Sequence, residues 1–122
     1  MNGPSAVHVG EADIEPELLP IAKLCTGKVR YMSEGGLRYI HMEKLRFLVR
    51  EAKNEMDALL CLNYTNTAYP TKLYLPTNLG LGLNWNENGY ILARNWFSWS
   101  WRDVSPNQTP FEILADHLKA FR

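Results

Sequence analysis

The segment NWFSWSW, residues 95–101, places three tryptophans and a phenylalanine within seven positions. Read as a strand, it sends successive side chains to opposite faces, so Phe97, Trp99 and Trp101 share one side while Trp96, Ser98 and Ser100 share the other. Such a wall of rings is either core or a ligand platform. The chain that follows favours core. Thr109-Pro110-Phe111-Glu112 has the pattern of a capping box with proline at the first helical position. Phe111, Leu114, Leu118 and Phe121 then repeat at helical spacing. The pattern predicts a C-terminal helix whose stripe packs on Phe97, Trp99 and Trp101, with Trp96 pointing away.

Upstream, the apolar period is two. KVRYMS (residues 28–33) and LRYIHM (residues 37–42) flank Glu34-Gly35-Gly36, a hairpin signal because glycine supplies the positive φ of tight turns. The alternation continues through Leu45, Phe47 and Val49, and the whole run to Arg50 is too long for one ordinary strand, which predicts a bend or bulge near Glu43-Lys44. A polar turn is expected over residues 52–55, then a more buried strand in DALLCLNY (residues 57–64) and a fourth strand in TKLYLP (residues 71–76). The fold class is therefore α+β: a four-stranded antiparallel meander sheet packed against a C-terminal helix. Residues 1–15 read as a flexible N-terminal arm and residues 16–122 as a single domain. Pro20 limits the apolar stretch before Cys25 to a turn or two of helix. Residues 77–90 read as an irregular loop, with a tight turn at Asn88-Gly89.

Thirteen basic and thirteen acidic side chains cancel, so no net field attracts nucleic acid or an anionic membrane. No apolar run approaches the ~18 residues of a membrane span, and a soluble, cytoplasmic protein is expected. Phosphate loops, dinucleotide fingerprints and metal-ligand spacings are missing, so no cofactor and no metal are expected. His8 lies in the arm, His41 in a strand, and His117 near the helix end, where a cation would meet the dipole favourably. Cys61 reads as a small buried hydrophobe. Cys25, near Lys23 and Lys28, is the better candidate for a reactive thiol, although burial is the plainer reading of it as well.

The order of these pieces resembles the ubiquitin-conjugating enzyme fold. The residues that carry the likeness are Tyr69-Pro70 followed by TKLYLP, then NWNENGYIL (residues 84–92), then Trp101 and VSPNQTPFEILADHL (residues 104–118), and with the strands it spans residues 28–122. Bacterial relatives encoded beside ubiquitin-like genes look most similar, because some carry a W-x-x-W-S stretch. The resemblance implies a tyrosine-proline turn at the edge of the meander, then an active-site loop, then a helix across the sheet. Active members have a His-Pro-Asn triplet and a thioester cysteine, and aligning Gly89 puts Leu92 or Ile91 near that cysteine position. Neither is a nucleophile. The resemblance thus implies a non-catalytic binding module for a ubiquitin-like protein or a partner enzyme. Tyr69, Trp85, Asn86 and Trp96 are its candidate contact residues, the two tryptophans being expected at the surface. The alternative is an aromatic-surface binder of carbohydrate or single-stranded nucleic acid.

Overall fold

The computed structural model describes residues 14–64 and 66–122. The expected arm thus lies, through residue 13, outside the described residues, and Ile14 already packs on the core. A 3-10 turn at Pro16–Leu18 leads into the short helix α1 (Leu19–Ala22), which buries Leu18 and Ile21 completely.

Strands β1 (Val29–Glu34), β2 (Leu37–Val49), β3 (Ala52–Cys61) and β4 (Lys72–Tyr74) form an antiparallel sheet in chain order. Gly35 and Gly36 make the first turn at φ 60° and 83°, as the glycine pair predicts. The expected irregularity is present too: the β2–β3 register shifts between Met42 and Leu45, with Lys44 at φ 55°. The chain before β1 grips this bulge. The Thr26 and Gly27 amides donate to Lys44 O and Glu43 O, both at 3.1 Å. A side chain at position 27 would meet Glu43 Cβ at 2.5 Å, so only glycine permits the approach.

Two turns differ from expectation. The second hairpin turns at Arg50-Glu51, φ 49° and 73°, rather than over residues 52–55, and those residues pair within β3. Asn88 and Gly89 do not turn either. They lie inside β5 (Glu87–Ile91), which pairs with β6 (Arg94–Ser98) through a turn at Leu92-Ala93, φ 51° and 68°. This register puts Trp96 inward opposite Gly89, and its indole N–H donates to Ile91 O at 3.0 Å. Burying a whole indole outweighs the modest cost of two non-glycine residues at positive φ.

The helix α2 (Pro110–Leu118) begins with the predicted capping box. Thr109 N–H donates to Glu112 Oε1 at 3.0 Å, and Glu112 N–H donates to Thr109 Oγ1 at 3.2 Å. Its buried stripe is rotated from the predicted one. Ile113, Leu114 and His117 face inward, followed by Ala120 and Phe121 in a last 3-10 turn (Lys119–Phe121), while Phe111 is 38% exposed and Leu118 half-buried. His117 takes a core position because Thr71 on β4's flank offers a polar partner there.

The sheet is covered on both faces. The helices and Ile40, Met42, Leu60, Leu73 and Leu75 build the main core, which includes Trp99. On the opposite face Tyr39, Leu59, Cys61 and Tyr74 pack under Trp96 of the β5–β6 hairpin. Phe97 bridges to Leu75 through two backbone bonds of 2.7 and 2.9 Å, which ties the hairpin to the edge of β4.

Candidate functional site

Segment 95–101 does not run as one strand. It leaves β6 after Ser98, and Trp96 and Trp99, three positions apart, are buried on opposite sides of the sheet, each under its own layer. Phe97 and Trp101 are half-buried. Trp99 meets Phe121 at 5.0 Å and His117 edge-on at 6.5 Å, so it does face the terminal helix, and Trp101 reaches that helix through an indole bond of 2.9 Å to Asp116 O.

Two of the four candidate contact residues, Trp85 and Asn86, meet the segment Trp99-Ser100, and Tyr69 is linked to it through Lys72. Trp85 is half-buried, its ring 5.1 Å from Trp99 and its indole N–H fixed to Gly80 O at 2.8 Å. Asn86 is exposed, and its amide donates to Ser100 Oγ at 2.8 Å, beside Asn84 at 3.3 Å. Tyr69 is half-buried, with Lys72 Nζ 5.3 Å and the Arg102 guanidinium 6.0 Å from its ring. Trp96 does not join them. It is fully buried on the other face, with Arg94 stacked at 4.6 Å, so its expected exposure is corrected. The alternation that pointed it away from the helix pointed it into a second core.

Beneath Tyr69 lies a polar cluster that sequence reading missed. Lys72 is a buried cation on β4, with Nζ 3.4 Å from Trp99 O, 3.6 Å from Glu87 Oε1 and 5.1 Å from the Tyr64 ring. Glu87 also accepts the hydroxyls of Tyr64 at 3.0 Å and Tyr74 at 2.8 Å. Burial, reinforced by that carboxylate, pushes the Tyr64 phenol up to about 12 and raises Tyr74 further. Both stay protonated donors at neutral pH. The one available signal was a lysine inside the apolar run TKLYLP, since a buried lysine demands a carboxylate or ring partner. Which carboxylate supplies it depends on the fold.

Thr71 Oγ1 donates to Val104 O at 3.0 Å, so its 2.9 Å contact with His117 uses the Nε2 proton as donor. Burial, with the nearby Lys72 charge, lowers the His117 pKa to about 4, and the side chain is a neutral core donor rather than a cation at the helix end. His41 Nδ1 is buried without a partner among the described residues, and burial lowers its pKa as well.

Burial pushes the half-buried Cys25 thiol up to about 11 despite Arg46, and raises fully buried Cys61 likewise. Neither is a thiolate at neutral pH. Leu92, which the resemblance places near the thioester position, lies at the β5–β6 turn with its amide donating to Glu34 Oε1 at 2.6 Å. No metal-holding group of three or more His, Cys, Asp or Glu side chains occurs among the described residues, nor any helix long and apolar enough to cross a membrane.

No family model matches the chain, and comparison with curated proteins and with solved structures gives no match.

Proposed function

We propose that the chain is a non-catalytic, ubiquitin-conjugating-enzyme-like binding module that acts in the bacterial cytoplasm and recognises a ubiquitin-like protein or its partner enzyme. The observation that carries the reading is the rim around Trp99-Ser100. Tyr69, Arg102, Trp85 and Asn86 come from the tyrosine-proline turn before β4, the loop after it and the entry to α2. Those are the segments on which the resemblance rests. The strand order and the capped helix that follows also fit the order of pieces in that family. Rings held by internal hydrogen bonds and cations flanking a tyrosine give a preorganised contact patch, the kind of anchor that dominates protein interfaces.

Carbohydrate or single-strand binding has less to work with, since Trp96 and Trp99 belong to the cores and the rim's own rings, Trp85 and Tyr69, are half-buried. The test is an amide-resolved titration of the labelled chain against ubiquitin and against bacterial β-grasp proteins, with Tyr69→Ala and Trp85→Ala as controls. Shifts confined to the rim and abolished by either substitution support the reading. Saturable tryptophan quenching by oligosaccharides or oligonucleotides, with no response to any β-grasp protein, would transfer the rim to the other class.

A further inference from the structure

A groove of about 450 Å³ lies away from this rim, where the β2–β3 hairpin passes Leu24, and its lining includes Leu24, Phe47, Leu48 and Lys53. Leu48 is 57% exposed, the most exposed aliphatic side chain of large size among the described residues. The backbone beside it is open. The Arg46 amide donates outward to Leu24 O and the Arg50 amide to Phe121 O, each at 2.8 Å. Alternation then makes Leu48 N–H and C=O point the same way, away from its β3 neighbour Lys53. Among the described residues no backbone group meets them. β1 does not reach this far, since its pairing with β2 ends at Val29 and Met42.

The rim of the groove is positive although the chain as a whole is neutral. Of its lining side chains Arg46 and Lys53 are cations and only Glu55 is an anion; neither cation is in an ion pair among the described residues, and the Arg46 guanidinium is held beside the groove by Leu24 O at 3.2 Å and Lys23 O at 3.0 Å. Glu55 is moreover engaged by the Thr26 hydroxyl at 3.1 Å. An exposed leucine, one open pair of strand-edge groups and surplus positive charge define a partner of specific chemistry.

We infer that the groove is a strand-edge slot for an extended, acidic segment of a partner protein. That segment pairs with Leu48 N–H and C=O as Phe97 pairs with Leu75, sets an apolar side chain against Leu48, and places carboxylates near Lys53 and Arg46. The inference goes beyond the proposed function and does not depend on it, because the groove shares no residue with the Tyr69–Trp85 rim. The test titrates the labelled full chain with two blocked hexapeptides, one alternating glutamate with valine and one alternating lysine with valine. The acidic peptide is expected to shift the Leu48 amide and its neighbours, and to bind more weakly as salt rises above ~0.3 M. Leu48→Glu and Lys53→Glu should each weaken it by about tenfold or more while leaving the denaturation midpoint unchanged, since both side chains are exposed. Equal shifts from both peptides, or shifts elsewhere, would overturn the inference. So would movement of the same amides with protein concentration alone, which assigns the groove to a second copy of the chain.

Discussion

Acid should loosen this protein through buried His117. Its pKa falls from 6.5 in the unfolded chain to about 4 in the folded one, because burial and Lys72 both disfavour the imidazolium and Asp116 compensates only in part. The folded state therefore binds this proton less readily than the unfolded state. The stability contribution is complete above pH 6.5 and is lost as pH falls towards about 4, a total of about 3 kcal/mol. Between pH 7.5 and pH 5 the loss from this group is about 2 kcal/mol. His117→Gln keeps an amide N–H in reach of Thr71 Oγ1 but has no titrating proton. Urea denaturation, followed by tryptophan fluorescence at the two pH values, should show the natural chain losing about 2 kcal/mol more than the variant. His41 shifts in the same direction and acts in both proteins, so the comparison cancels it. Asp57 and Asp116, whose pKa values are lowered, lose their contribution only at lower pH. Equal losses in the two proteins would refute the buried, neutral histidine and the hydrogen bond derived from it.

Gly27→Ala forces a Cβ to 2.5 Å from Glu43 Cβ, and should lower stability by about 1–3 kcal/mol in the same denaturation assay. Glu87→Gln leaves buried Lys72 without its charge partner and should cost about 2–3 kcal/mol, whereas Lys72→Met, which removes the buried charge itself, should cost far less. The reverse ranking of the two melting temperatures would contradict the role given to Glu87. Cys25, with its pKa raised to about 11, should alkylate at pH 8 at roughly a hundredth of the rate of a free thiol, and mass spectrometry with iodoacetamide measures this directly.

Much of the architecture was legible because it rests on local chemistry. The paired glycines at 35 and 36, the over-long alternation broken at Lys44 and the Thr109–Glu112 box each carry their own signal, and each appears where the sequence puts it. The turns at Arg50-Glu51 and Leu92-Ala93 carry no such signal. Ordinary residues are held there at positive φ by the pairing on either side, and Asn88-Gly89, a strong local turn sequence, is overridden by the burial of Trp96. The same limit governs the candidate site. Tyr69, Trp85 and Asn86 stood out by type; Trp85 and Asn86 meet Trp99-Ser100, and Tyr69 is linked to it through Lys72. Trp96 was misplaced because a single alternating strand allows one buried face, and here a second layer covers the other. Glu87 was invisible for a related reason, since its two tyrosines and its lysine meet it only after the hairpin folds back over the sheet.

The three-residue strand β4 and its flank hold both layers at once. Thr71 reaches the helix side through His117, and its neighbour Lys72 reaches the hairpin side through Glu87 and Trp99 O. Adjacent residues on so short a strand cannot detach separately, so helix and hairpin should come away together. Amide hydrogen exchange in α2 and in β5–β6 should then share one opening free energy, and neither layer should survive as a folding intermediate without the other.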